Sequence, residues 1–75
     1  MSVKTYCTYG LYDEDSASNL AEGDFCATFT YWKNGEQITL RNVKINDIYK
    51  DRVVIELEDY EEVTIQVDDI VEWID

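Results

Sequence analysis

The dipeptide Asn34-Gly35 constrains the fold of this chain more than any other feature of its sequence. It lies between two runs in which apolar and polar residues alternate, and it supplies the two residues with positive φ that a type I′ turn requires. A two-residue turn at this point places Tyr31 opposite Ile38, with both side chains on one face of the sheet. The sequence therefore predicts a β-hairpin here, and fixes its register near the turn.

The apolar pattern changes phase along the second strand of this hairpin. Val43 and Ile45 carry the inward positions in its second half. They align with Ala27 and Phe25 on the first strand only if one extra residue lies near Arg41-Asn42. This alignment puts Phe25 in the core. We expect a β-bulge that bends the strand, because bulges are a device by which small sheets curl into barrels.

Further segments extend this hairpin at both ends. Residues 2–9 alternate as a half-buried strand, whereas residues 13–23 break the alternation and are expected to form a loop with one helical turn. A short turn at residues 68–70 leads to a last strand at residues 71–74. We expect this last strand to close the sheet against the first strand.

A second hairpin is predicted at residues 53–67. Apolar residues occupy every second position on both sides of Tyr60, and a tip at Tyr60 places Ile55 opposite Ile65. Together with the other strands, this hairpin predicts an all-β fold. The expected architecture is a small barrel of five to six strands, with a bent second hairpin strand and a short helical turn.

The length of 75 residues leaves room for a single core, so we expect one domain over residues 1–75. The first residues lack an apolar run of signal-peptide length, and no stretch reaches the roughly 20 apolar residues that cross a bilayer. We therefore expect a cytoplasmic protein that does not act at a membrane. In a reducing cytosol, Cys7 and Cys26 are expected to be separate thiols, with a disulfide as the alternative.

The acidic residues are concentrated in the C-terminal third of the chain. Residues 53–75 hold nine acids and no base, within a chain whose net charge is −11. We expect these carboxylates to make one side of the fold negative, and such a face repels phosphate and argues against direct nucleic-acid binding. Two interpretations stay open: a face that only confers solubility, or a patch that occupies a basic surface of another protein.

The candidate partner-binding residues combine these carboxylates with aromatic anchors. An aromatic side chain that loses its water on binding can dominate an interface. The predicted set is Glu56, Glu58, Asp59, Tyr60, Glu61, Glu62, Asp68, Asp69, Trp32 and Tyr49.

The sequence offers little for catalysis. There is no His, so triads of the Ser-His and Cys-His kind cannot form, and a zinc site built from Cys and His alone is excluded by count. Residues 13–15 open like a calcium loop, but Ala17 and Ser18 stand where an oxygen ligand and the turn glycine belong. We expect no enzymatic activity, no cofactor and no bound metal.

Residues 25–74 resemble the Sm-like family, in which a bent five-stranded barrel often assembles into RNA-binding rings. The base-binding loop of the family has an Asp and, four residues later, an Asn; Asp47 and Asp51 occupy these places here. Ile65–Val67 is similar to the family's Ile-Arg-Gly motif, with Gln66 in place of the cation. The resemblance implies the barrel, whereas the lost amide and cation argue against RNA binding.

A second resemblance is to SH3 domains. Gly10–Asp13, followed by Leu20 and Gly23-Asp24, looks like their first strand and acidic loop, and residues 71–74 look like their final strand. The paired Trp motif and the Pro of the ligand groove are missing. This resemblance implies an SH3-like barrel and a peptide-binding module.

The leading hypothesis is a non-catalytic, acidic protein-binding module. In its most concrete form it is a small inhibitor, such as those encoded by phages, that mimics nucleic acid and occupies a basic surface of its target. The alternatives are an Sm-like or SH3-like subunit whose strand edges pair between copies to form a homo-oligomer, and a peptide-binding module.

Overall fold

The computed structural model describes residues 4–7 and 10–75, and nearly all of its regular structure consists of β-strands. These strands are β1 Lys4–Cys7, β2 Gly10–Asp13, β3 Ser18–Leu20, β4 Phe25–Lys33, β5 Glu36–Ile48, β6 Arg52–Glu56, β7 Glu62–Gln66 and β8 Ile70–Ile74. A 3-10 turn, Val67–Asp69, precedes β8. The first three strands form a small antiparallel sheet, and the other five form a larger sheet in the order β7-β6-β5-β4-β8. The prediction of an all-β fold is confirmed.

The hairpin of β4 and β5 has the predicted turn and register. Lys33 pairs with Glu36 and Tyr31 pairs with Ile38. Asn34 and Gly35 both have positive φ, at 52° and 80°. The turn type therefore follows directly from the dipeptide, as the sequence indicates.

The predicted irregularity near Arg41-Asn42 is present, but the predicted extra residue is wrong. The offset between the strands is the same for Thr28 with Arg41 and for Cys26 with Val43. Instead, each strand switches which of its two faces points toward the core. The two switches occur at the same level of the hairpin. Asn42, with φ of 54°, lies at this irregularity and is left out of the ladder.

The simultaneous change of face also corrects the predicted position of Phe25. Cys26 is buried and pairs with Val43, which leaves Phe25 on the outer face and 69% exposed. Phe29 and Tyr31 are buried.

The N-terminal segment folds into a sheet of its own rather than into one strand and a loop. Within the predicted strand at residues 2–9, the structure describes Lys4–Cys7 as β1; residues 2, 3, 8 and 9 lie outside the described residues. The predicted helical turn is wrong, because β3 pairs with β2 and places Leu11 opposite Leu20. Both leucines are fully buried, so the burial of this pair favours the hairpin.

The second hairpin forms with a register two residues away from the predicted one. Val53 pairs with Ile65, and Ile55 pairs with Val63 rather than with Ile65. A shift by two keeps the same side chains on the inner face. The connecting loop, residues 57–61, is correspondingly short, and the backbone N–H of Leu57 donates to the carbonyl of Glu61 over 2.8 Å.

The last strand pairs with β4 and not with the first strand, which corrects the predicted closure. Trp73 lies opposite Phe29, and both are buried. The edge of β4 is available to β8 because the N-terminal strands pair among themselves. The described strands therefore form two sheets rather than one closed sheet.

The two sheets share one core. Residues of both belong to the same buried cluster, which comprises Leu11, Leu20, Cys26, Phe29, Tyr31, Val43, Ile45, Ile48, Val53, Ile55, Ile65, Val67, Ile70 and Trp73. The buried ion pair between Lys4 and Asp13 is 3.5 Å long. Lys4 Nζ also donates to the carbonyl of Val71 over 3.1 Å and lies 5.8 Å from the centre of the Trp73 ring. This cation therefore joins the small sheet to β8.

Both cysteines are free: Cys26 is buried, and Cys7 is partly buried. Among the described residues, there is no helix of the length and apolarity that a membrane crossing requires.

Candidate partner-binding surface

The tip of the β6–β7 hairpin carries a dense group of carboxylates, which we call the acidic tip. The last pair of the ladder and the loop beyond it contribute them: Glu56, Glu58, Asp59, Glu61 and Glu62. A two-stranded hairpin end brings residues from both strands together within the ~5 Å strand spacing. Part of the predicted set therefore lies at one place.

The loop of the acidic tip is shaped by local hydrogen bonds. Asp59 Oδ1 accepts from the backbone N–H of Glu61 over 3.1 Å. Tyr60 adopts φ of 67°, and its N–H donates to the carbonyl of Leu57 over 3.0 Å. Leu57 packs against the core and anchors the loop. These contacts hold Tyr60 outward, where it is 82% exposed between Asp59 and Glu61.

Two asparagines of β5 hold the carboxylates of the tip in place. Asn42 Nδ2 donates to Glu58 Oε1 over 2.9 Å. Asn46 Nδ2 donates to Glu62 Oε2 over 2.9 Å and to Glu56 Oε1 over 3.3 Å. Asn46 is free to do so because the β5–β6 register shifts between Ile45 and Asp47.

The bridge made by Asn46 offsets an unfavourable pair. Glu56 and Glu62 lie directly opposite each other across β6 and β7. Like charges in this arrangement repel and destabilise a sheet. One amide nitrogen that donates to both carboxylates lowers this repulsion and fixes their spacing. Asn42 and Asn46 are absent from the predicted set; the only signal in the sequence is an amide at each irregular position of a strand.

A row of outward residues extends from the acidic tip across the larger sheet. Lys44 pairs with Phe25 on one side and with Glu56 on the other, and Glu56 pairs with Glu62. The row therefore runs from an exposed aromatic through one cation to two carboxylates. Phe25 joins this surface only because of the change of face in β4, which the sequence does not reveal.

Asp68 and Asp69 lie at the opposite end of the same hairpin. They belong to the 3-10 turn that follows β7, beyond the pair of Arg52 with Gln66. The ladder from Arg52 to Glu56 spans about 13 Å. The remaining acids of the segment are on β8 or after it, and β8 and β7 are the two ends of the strand order. The acids of this segment therefore lie on the tip, on the 3-10 turn and on or after β8.

The two other predicted anchors are separate from the tip. Tyr49 is half-exposed, but the guanidinium of Arg52 lies 4.2 Å from its ring centre, so the ring already has a cationic partner. Trp32 is 45% exposed near the end of β4 and lines a groove with Asp69 and β7.

Among the described residues, no ion pair involves a carboxylate of the acidic tip. The ion pairs among them are Lys4 with Asp13 and Arg52 with Asp51. No group of three or more Cys, Asp or Glu side chains among the described residues is arranged to hold a metal ion. The tip is therefore suited to attract a cationic surface rather than to bind a buried ion.

Cys26 is protected from reaction. Burial, together with the nearby charges of Asp75 and Asp24, raises the pKa of its thiol from 9.0 to about 11. A thiol with so high a pKa stays protonated near neutral pH and is a poor nucleophile.

Comparison of the chain with protein-family models, curated proteins and solved structures finds no match.

Proposed function

We propose that this protein is a non-catalytic binding module whose acidic tip docks on a basic surface of another protein. The observation that carries the proposal is the composition of the tip: five carboxylates around one exposed tyrosine, positioned by two asparagines. A charge array of this kind accelerates encounter with a basic partner, and the aromatic side chain supplies contact area after water is excluded. Tyr60 is the anchor in this proposal, with Glu58 and Glu61 beside it.

The finer form of the proposal is a mimic of nucleic acid. A protein surface that binds phosphates is lined by Lys and Arg, and it accepts an ordered array of carboxylates by the same chemistry. We propose that the target is a nucleic-acid-binding protein and that this chain acts as its inhibitor, of the kind that phages encode. Such a target would place both proteins in the cytoplasm.

We also propose that the larger sheet is a partly closed barrel of the Sm-like or SH3-like type. Support comes from the strand order and from the long β5, which the neighbouring hairpins share. A groove is lined jointly by Trp32 of β4 and by Val63 of β7, although these strands are not neighbours in the sheet. A sheet that brings them together must be strongly curled.

The test compares two variants with the same change in charge. The tip-neutralised variant carries Glu58→Gln, Asp59→Asn and Glu61→Gln, in which the amides preserve the shapes and the acceptor oxygens. The control variant carries Glu14→Gln, Asp15→Asn and Glu36→Gln, which are exposed and outside the candidate surface. Affinity is measured by biolayer interferometry against a panel of purified DNA- and RNA-binding proteins.

We expect at least one protein of the panel to bind the native chain and to be displaced by its own nucleic acid. For that protein, the tip-neutralised variant binds at least tenfold more weakly, whereas the control variant loses less than threefold. A tenfold loss corresponds to about 1.4 kcal/mol. Equal losses for the two variants would mean that only net charge matters, and the proposal would be wrong.

A second candidate function is that of a homo-oligomeric assembly subunit. It is favoured by β7, which lies at the end of the strand order and pairs with β6 alone in its sheet. Light scattering after size exclusion separates the two candidates. A mass near 8.8 kDa at millimolar concentration supports a monomeric binding module, and a ring or dimer supports the subunit.

A further inference from the structure

The outer edge of β7 offers unpaired backbone groups. β7 pairs with β6 on one side only. The other edge is not used by any backbone hydrogen bond within the described residues. Exposed edges of this kind are templates for pairing with another extended chain.

The hydrogen bonds at both ends of the hairpin determine which groups face outward. The N–H of Leu57 donates to the carbonyl of Glu61 over 2.8 Å. At the other end, the N–H of Val67 donates to the carbonyl of Asp51 over 2.9 Å. Both pairs have the same register as the ladder between them. Hydrogen-bonded and non-hydrogen-bonded pairs alternate along antiparallel strands.

The alternation assigns the direction of each backbone group in β7. Alternation from the hydrogen-bonded pair at either end of the hairpin gives the same result. Val63 and Ile65 direct their N–H and C=O groups toward β6. Glu62, Thr64 and Gln66 therefore direct theirs away from it. These outward groups repeat every second residue, about 6.7 Å apart, which is the repeat that an added strand requires.

A groove lies along this edge. Its volume is about 170 Å³, and it is lined by Tyr31, Trp32 and Lys33 of β4 and by residues of β7, with Asp69 at one end. Trp32 is half-exposed and provides an aromatic wall. The groove is therefore open to side chains of a strand that pairs with β7.

The charge around the groove selects the occupant. Glu61 and Glu62 lie at one end of β7, and Asp68 and Asp69 follow its other end. Among the described residues, Lys33 is the cation that lines the groove. A second copy of this chain would bring these carboxylates against one another at a net charge of −11 per copy. A cationic chain is the complementary occupant.

We propose that the outer edge of β7 binds an extended, basic segment of a partner protein by strand addition. The segment forms main-chain hydrogen bonds with Glu62, Thr64 and Gln66, and it directs lysine or arginine side chains toward the acids at both ends of β7. The inference rests on the proposed function in taking the partner to be basic, and it adds the mode of recognition.

The first test uses hydrogen exchange with a synthetic probe, a ten-residue peptide of alternating lysine and valine. In the free protein, we expect the amides of Thr64 and Gln66 to exchange quickly and those of Val63 and Ile65 slowly. At saturating peptide, exchange at Thr64 and Gln66 slows at least tenfold. A control peptide of the same sequence, in which every backbone nitrogen is methylated, has the same charge but no N–H to donate, and it gives no protection.

A single substitution tests the same edge from the protein side. Thr64→Pro removes an outward N–H but no bond to β6, so the hairpin is expected to fold. The matched control, Thr64→Val, keeps the N–H. We expect Thr64→Pro to weaken binding of the lysine–valine peptide at least fivefold relative to Thr64→Val. The exchange measurement on the native chain decides the matter if Thr64→Pro does not fold.

Three results would overturn the inference. They are peptide binding without protection of Thr64 and Gln66, equal binding of the two peptides, and absence of measurable binding at millimolar peptide. Protection of Thr64 that rises with protein concentration in the absence of peptide would identify a second copy as the occupant, and would also overturn it.

Failure of this inference is distinguishable from failure of the proposed function. If the panel protein binds Thr64→Pro and Thr64→Val equally but binds the tip-neutralised variant weakly, docking by the tip is supported and strand addition is wrong. If the tip-neutralised variant keeps its affinity, the proposed function is wrong, whatever the result with the peptide.

Discussion

At the scale of single residues, the most consequential side chain is Asn46. Its amide donates to Glu56 and Glu62, which face each other across the hairpin, and it thereby makes a repulsive pair tolerable. The sequence predicts that carboxylates gather in this hairpin, because five of them fall within seven residues. It does not predict their support, because that support comes from a register irregularity in β5.

Substitution of Asn46 is predicted to lower the stability of the fold. Asn46→Ala removes the donor and costs about 1 kcal/mol in the free energy of unfolding, and Asn46→Asp costs more because a third carboxylate joins the pair. Urea denaturation at low salt measures both, with the exposed Gln37→Ala on the same strand as control. In 1 M salt the penalty of Asn46→Asp shrinks. An Asn46→Asp variant as stable as the native chain would contradict this role.

At the scale of elements, the small sheet is joined to the larger one by a buried cation. Lys4 pairs with Asp13, donates to the carbonyl of Val71 and lies over the ring of Trp73. Asp13 Oδ1 also accepts from the backbone N–H of Asp15, which shapes the turn between β2 and β3. One ion pair therefore serves both the small sheet and its attachment to β8.

Removal of one charge of this ion pair is predicted to destabilise the fold. Asp13→Asn removes the carboxylate charge that faces the buried Lys4 ammonium and lowers the free energy of unfolding by about 3 kcal/mol. The double variant Lys4→Met with Asp13→Leu removes both charges and recovers at least half of that loss. Urea denaturation of the three chains measures the coupling. A single variant that loses less than about 0.5 kcal/mol would mean that the pair does not hold the sheets together.

The elements differ in how far the sequence determines them. The turn at Asn34 is local, since two residues with positive φ fix both the turn and the register around it. The change of phase near Asn42 is visible on β5, where Val43 and Ile45 take the inward positions, but the sequence does not show that β4 changes face at the same level. The register of the second hairpin could shift by two without moving a side chain to the other face, so alternation alone could not decide it. The strand that pairs with β8 is distant from it in the sequence, so no local pattern predicts the pairing.

At the scale of the whole molecule, the negative charge has opposite effects on binding to a basic partner and on the stability of the fold. A net charge of −11 on 75 residues raises the energy of the compact state through self-repulsion. The acidic tip contributes to that repulsion and forms no ion pair among the described residues. If the tip exists for a partner, removing its charge should weaken the complex and strengthen the fold at once.

The most direct test of this account measures stability and affinity together on the tip-neutralised variant. We predict that its free energy of unfolding in urea at low salt rises by about 1 kcal/mol, as repulsion is relieved, while its affinity for the panel protein falls at least tenfold. An affinity unchanged from that of the native chain, whatever the stability, would contradict the central claim that the hairpin tip is the binding surface.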